Sequence, residues 1–228
     1  MRAKGVVYYT HNKCRQDILQ RCRNQIDECL NGMPLVSVSL EPLDWHENVV
    51  LDLEPCDNTM FKQQLAGIEQ VDAHIVFFCE HDVLYHPSHF DFTPPRNDVY
   101  YFNTNFWVVD ADTGQAIHYD GIRMTSGLVA HRDILIEHYT NKIKWVEERG
   151  KFSRREIGYE PGKRVSKKRL GDYGVRHFKS EYPNVDIKHD DNITRKRFIL
   201  DEYNCKEKIK DSWVSSYDIP YWGFLYDN

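Results

Sequence analysis

The sequence predicts an α/β fold, a mainly parallel sheet flanked by helices with a smaller antiparallel insertion, and three observations carry that expectation. Strand-like and helix-like segments alternate through the first ninety residues, an order that implies right-handed crossovers between parallel strands. The run His74–Cys79 is rich in apolar β-formers without clean alternation, as in a strand buried on both faces. Beyond Pro94-Pro95 the strand-like segments follow one another too closely for intervening helices, which points to antiparallel pairing.

The elements follow in order. Gly5–Tyr9 reads as the first strand, and the turn Thr10-His11-Asn12 offers a cap for a helix over residues 13–30. Ile18, Leu19, Cys22, Ile26 and Cys29 or Leu30 recur there at helical spacing. Asn31-Gly32 and Pro34 stop that helix. Leu35–Leu40 alternates as a strand, Val49–Leu53 is a shorter one, and residues 59–69 form a second helix. After the central strand, Val99–Asn103, Phe106–Asp110 and Ala116–Tyr119 read as strands, with a turn at Asp112-Thr-Gly114. Ser126-Gly127 precedes a long amphipathic helix expected from Leu128 to Glu148. Residues 149–170 carry nine Lys or Arg against two Glu, with Gly and Pro in the middle, and read as a mobile basic loop. Val185–Lys188 is the last apolar strand, and the aromatic tail 213–228 is expected to pack on the body or cover a site. The whole reads as one domain in three parts: residues 1–92, residues 93–192, and a C-terminal tail over 193–228.

Composition narrows the function classes. A formal net charge of −5 gives no global attraction to nucleic acid, so any such contact has to come from a local patch. Aromatic residues make up 13%, including 14 Tyr, enough to stack on bases or sugars. The six cysteines lack C-x-x-C spacing, and Cys22, Cys29 and Cys79 fall on apolar faces. Reduced core thiols in a cytoplasmic protein are expected. No stretch is apolar enough for a signal peptide or membrane span, and no Gly-rich phosphate loop follows the first strand.

The chemistry gathers where the central strand stops on Glu80-His81-Asp82. Ligands of open α/β sheets bind at the carboxyl ends of strands. Carboxylates ending a buried strand are costly unless a cation meets them, and a divalent metal is the usual partner. The plainer alternatives are that Glu80 and Asp82 are solvated turn residues, or that Asp82 caps a following helix.

Four segments, in chain order, give the sequence its likeness to a known family. Val7–Thr10 resembles the first strand and donor-binding turn of GT-A glycosyltransferases, the nucleotide-sugar-dependent class built on a Rossmann-like sheet. Glu80-His81-Asp82 resembles their D-x-D motif, with Glu in place of the first Asp. Thr125-Ser-Gly127 resembles the acceptor-side helix start, and Ile187-Lys-His189 the late strand that ends in a metal-binding His. The stretch 75–107 is also similar to small GT-A proteins of phage and environmental origin. The resemblance implies transfer of a sugar from a nucleotide-diphosphate sugar, a UDP-sugar, with Mn²⁺ or Mg²⁺. It implies Asp82 and His189 as metal ligands, Glu80 on the ribose or a metal-bound water, and Tyr9 and Thr10 on the nucleoside. Hard cations take carboxylate oxygens, and an imidazole shifts preference towards Mn²⁺.

An inverting transfer needs a base for the acceptor hydroxyl. Asp120, Asp172 and Glu181 are the candidates, Asp172 preferred for its loop setting; a retaining transfer needs none. The acceptor stays open. The basic stretch suits either a lid over the donor diphosphate or a clamp on a polyanion, the latter raising a hydroxymethylated base in phage DNA as acceptor. Three other readings remain: a zinc site from His81, His86 and His89, a nuclease or nucleotidyltransferase in which Asp82, Asp110 and Asp112 converge, and a nucleotide-binding module without turnover. Oligomeric state is not legible.

Overall fold

A computed structural model of the chain describes residues 2–162, 164–192 and 209–223. The strands are β1 (Arg2–Tyr9), β2 (Leu35–Ser39), β3 (Glu47–Val50), β4 (Ala73–Glu80), β5 (Val83–Leu84), β6 (Val99–Asn103), β7 (Asn105–Asp110), β8 (Gln115–Asp120), β9 (Leu128–His131), β10 (Gly174–Phe178), β11 (Asn184–Lys188) and β12 (Ile209–Ser215). The helices are α1 (Gln16–Cys29), α2 (Asp57–Gln70), α3 (Ser88–Asp91), α4 (Arg132–Arg149), α5 (Arg154–Ile157) and α6 (Arg164–Leu170).

The large sheet has the order β10-β6-β9-β4-β1-β2-β3. All its neighbours are parallel except at β9, which runs antiparallel to both β4 and β6. A second sheet, β12-β8-β7-β11-β5, is mixed: β11 runs parallel to β7, and the other pairings are antiparallel. The expected architecture, a mainly parallel sheet with helices and a smaller sheet beside it, is the one observed.

Period-two alternation of β1 divides the interior. Val7 and Tyr9 face a cluster with α2 and α4, together with Phe61, Phe78, Tyr100 and Tyr139. Val6 and Tyr8 face the opposite side, with Ile26, Cys29 and Phe77. Helix α1 is shared: Ile26 and Cys29 pack on the large sheet, while Ile18, Leu19 and Cys22 pack on Leu84, Trp107, Val185 and Ile187 of the small one. One amphipathic helix thus fastens the two sheets together and fixes how their strand ends meet.

Four expectations need correction. Residues 128–131 form a strand, not a helix, because Leu128, Val129 and Ala130 fill the gap between β4 and β6; the helix begins at Arg132. Of the segments taken as an antiparallel insertion, β6 joins the large sheet. Residues 174–178 add an unforeseen edge strand alongside β6. The basic segment is no open loop; it holds α5 and α6, and Ile157 and Leu170 sink into the core. Of the tail, β12 pairs with β8, and buried Trp222 donates from Nε1 to the Pro183 carbonyl at 2.7 Å. Residues 193–208 and 224–228 lie outside the described residues.

Two consequences can be measured. At Gly67 of α2 a Cβ would run into Val7 Cγ1 and come within 3.0 Å of Val38 Cγ2. Overpacking of about 1–3 kcal/mol outweighs the helix propensity that Ala adds, about 1 kcal/mol. Gly67→Ala is therefore expected to lower the urea midpoint. His89 is fully buried, and burial pushes its pKa down to about 3. An unfolded His titrates near ~6.5, so stability is full above that pH and is lost as pH falls towards the folded value. His89→Leu, which leaves Asn103 Nδ2 its bond to Ser180 Oγ, is expected to make the stability loss between pH 6.5 and 5 shallower by on the order of 1 kcal/mol.

Candidate functional site

Strand ends from both sheets meet here. The β1–β4 register sets Tyr9 beside Glu80. Beyond β4, the Asp82 carbonyl accepts from Ile187 N of β11 at 2.8 Å. The sequence thus turns from apolar strand to acid at the place where distant segments converge. Asp82 and His189, expected as partners, are joined through Asn192. The His189 N–H donates to Asn192 Oδ1 at 2.6 Å, and the Asn192 amide donates in turn to Asp82 Oδ2. Glu80 accepts from the Tyr9 hydroxyl. Its backbone N–H donates to Tyr85 Oη at 3.0 Å.

The site is electrostatically unbalanced. Glu80, Asp82 and Asp186 surround one ammonium, Lys188, whose Nζ lies 2.8 Å from Asp186. Burial and the Asp82 charge hold the Glu80 carboxyl well above the carboxylate range. Burial, with Asp82 reinforcing it against Lys188, raises Asp186 too. Burial also opposes the Asp82 charge, but His81, Lys188 and His189 together keep its pKa low. Burial works against the Lys188 ammonium as well, and Asp186, Asp82 and Glu80 reverse that, leaving its pKa above the ordinary value. Asp186 Oδ1, His81 Nε2 and His189 Nδ1 are buried without hydrogen-bond partners. Unsatisfied lone pairs inside an acidic pocket are expensive alone and suited to a cation.

Sulfur and imidazole sit beside the acids. Cys14 Sγ lies 3.5 Å from His189 Nε2, and the rings of His11 and His81 are 5.0 Å apart. Burial pushes the Cys14 thiol up to about 12. Among the described residues, Cys14, His81 and His189 are the one set of three whose potential ligand atoms all lie within 4.8 Å of each other. The sequence treats cysteines here as core thiols; no spacing signal links Cys14 to a histidine 175 residues away. Asn192, Asp186 and Lys188 were equally invisible, since each acquires its role only through β11.

The remaining candidates lie elsewhere or are otherwise engaged. Tyr9 is a core ring whose hydroxyl reaches Glu80, and Thr10 is buried with its hydroxyl accepting from Asn12 N. The register pairs Asp120 with Asn105, at the start of β7 and β11. Asp120 there binds Lys179 at 2.6 Å. Exposed Glu181 precedes β11 at the same end. The length of β11, roughly 13 Å, separates that end from His189. Asp172 is buried: Oδ1 meets His138 Nδ1 at 2.5 Å and accepts from Tyr100 at 3.3 Å, and Oδ2 accepts from Gly162 N at 3.0 Å. The zinc trio does not assemble, because His89 contacts Asn103 and Phe77 while His86 contacts Ser88 and Tyr182. Nor do Asp110 and Asp112 join Asp82. Asp110 Oδ1 accepts from Asp112 N at 2.8 Å and Thr113 N at 3.0 Å, while Asp112 pairs with Arg15 at 3.1 Å.

The class that fold and site define is thus an α/β protein with an acidic, imidazole-bearing centre at its parallel strand ends. No protein-family profile matches the chain, and no curated protein matches it in sequence. Among solved structures it is similar to a glycosyltransferase involved in glycosylation of the major capsid of PBCV-1, at 15% identity over 77% of this chain and 82% of that one, TM-score 0.47. It is also similar to a Drosophila beta-1,4-galactosyltransferase 7 mutant in complex with manganese, UDP-Gal and xylobiose, at 11% identity over 66% and 63%, TM-score 0.38. The inositol-1-phosphate CTP transferase from T. maritima is a third, at 13% identity over 83% and 90%, TM-score 0.45. At these values the likeness says nothing about chemistry, which has to be read from the side chains.

The Asp172 network makes its own prediction. His138, pushed down to about 4 by burial and by Lys142, depends on Asp172 for its Nδ1 partner. Hydrogen bonds to a charged acceptor are worth about 1.5–3 kcal/mol. Asp172→Asn is expected to lose stability on that order in chemical denaturation, as a group that anchors the basic segment to α4.

Proposed function

We propose that this chain is a metal-dependent glycosyltransferase that moves a sugar from a nucleotide-diphosphate sugar, a UDP-sugar, to an acceptor hydroxyl. The observation that carries the reading is the clustering of Glu80, Asp82 and Asp186 around Lys188 at the ends of β4 and β11, with the His189 backbone tied to Asp82 through Asn192. The donor set fits a divalent cation: an excess of carboxylate, an imidazole and unpartnered lone pairs on Asp186 and His189. Asp82, His189 and Glu80 would hold Mn²⁺ or Mg²⁺, and the imidazole favours Mn²⁺. When bound, that ion supplies Lewis-acid stabilisation of the leaving diphosphate.

The protein's own groups do the positioning. Asn192 fixes Asp82 and the backbone of His189 in one unit, so that neither relaxes away when charge is drawn in. Tyr9 holds one Glu80 oxygen and leaves the other for a ribose hydroxyl or a bound water. Lys188 offsets Asp186 and limits the repulsion a diphosphate would meet. An inverting transfer would need a base within hydrogen-bond reach of the acceptor at the bound sugar, which Asp120 and Glu181, at the far end of β11, do not offer. Asp172, saturated by His138, Tyr100 and Gly162, is the weakest of the three. The exposed cations Lys151, Arg154, Arg155, Lys167, Lys168 and Arg169 support a polyanionic acceptor, for which hydroxymethylated DNA is the case to try. The segment is tied to α4 through Asp172–His138 and Lys142–Tyr159, which favours a fixed cationic face over a lid.

The test is a thermal-shift and hydrolysis panel of nucleotide sugars with Mn²⁺, followed by transfer to hydroxymethylcytosine DNA. Asp82→Asn is expected to keep the fold and to lose donor turnover by at least about 100-fold. A wild-type protein that binds no nucleoside diphosphate with Mn²⁺ would sink the proposal. Turnover on a lipid or protein acceptor, and none on DNA, removes the DNA acceptor alone.

A further inference from the structure

We propose that Cys14, His81 and His189 form a second cation site, built for a thiophilic divalent ion of the Zn²⁺ class, and that its occupancy excludes the donor-bound cation because both sites draw on His189. The three ligands come from the segment after β1, the end of β4 and the end of β11, and the strand register brings them together without any local motif. One ligand atom from each lies within 4.8 Å of the other two. The Cys14 Sγ to His189 Nε2 separation of 3.5 Å matches the sulfur–nitrogen edge of a zinc tetrahedron, roughly 3.5 Å for bonds of about 2.3 and 2.05 Å. His81 Nε2 is buried with no partner, a cost that ligation through that nitrogen would remove.

Ligand softness separates the two sites. Thiolate and imidazole select Zn²⁺ over Mn²⁺ and Mg²⁺, whereas Asp82 and Glu80 offer hard oxygen with the opposite preference. The acids around Lys188 give both ions a favourable potential. A thiol and an imidazole that merely hydrogen-bond each other would need no third partner, yet His81 turns its ring towards both His11 and His189. Metal binding at the Cys14 site stands without the sugar-transfer reading; only the exclusion clause rests on it.

Co²⁺ serves as the spectroscopic probe and Zn²⁺ as the ligand. Wild-type protein is expected to give a thiolate-to-cobalt charge-transfer band that Zn²⁺ abolishes. Cys14→Ser should lose the band and weaken Zn²⁺ binding, measured by competition with a chromophoric chelator, by about tenfold or more. His81→Gln is expected to keep the thiol and still weaken Zn²⁺ by about tenfold, and Cys56→Ser, at an exposed thiol, should change neither. A wild-type Co²⁺ complex without the band, or Zn²⁺ affinity unchanged in both site variants, overturns the site. UDP binding with Mn²⁺ is then followed in wild type and Cys14→Ser with and without Zn²⁺. Zn²⁺ should weaken it in wild type only; binding indifferent to saturating Zn²⁺ overturns the exclusion. A Zn²⁺ site in a protein that binds no UDP removes the sugar-transfer reading and leaves the site, whereas UDP binding without a Zn²⁺ site does the reverse.

Discussion

Three carboxylates and one ammonium, gathered largely out of solvent where strands run out, set the terms for the rest of the molecule. Charge of that kind is tolerated only where other groups hold it in place. Here Tyr9 holds Glu80, Asn192 holds Asp82 and Lys188 holds Asp186. Tyr9 comes from β1 and the other two from β11 and the turn after it, so the centre exists only when the two sheets are docked. Its remaining negative potential and its unpartnered nitrogens make a cation the natural complement.

Docking depends in turn on α1. Its two apolar faces pack on different sheets, and no other helix touches both with comparable burial among the described residues. The strand ends carry the chemistry because the helix fixes their separation. Small residues matter for the same reason: Gly67 lets α2 lie directly on Val7, and Gly162, at φ +71°, lets its backbone N–H reach Asp172 beneath Tyr100. The basic segment is anchored by that second network, which turns a run of like charges into two short helices with an exposed cationic side.

Much of the architecture was legible because it is written in local pattern. Alternation and helical spacing identify β1, α1, β2, α2 and β4, and the acidic stop after Cys79 marks a strand end. Where local pattern failed, tertiary context had overridden it. Leu128–Ala130 have no strand signature of their own and become a strand because a gap between β4 and β6 accepts them. The basic stretch reads as disordered by composition, yet Ile157 and Leu170 anchor it. Asp172 looked like a surface loop acid until His138, thirty-four residues away, was found against it.

By itself the sequence determined the α/β class and a central strand that stops on acids, since both follow from short-range periodicity and from what a buried strand end can tolerate. Only the tertiary structure decided which cysteine, which asparagine and which lysine stand beside them. Cys14, Asn192 and Lys188 carry no mark in the chain, because a side chain's neighbours across 100 or more residues are set by sheet register and helix docking, neither of which is encoded locally.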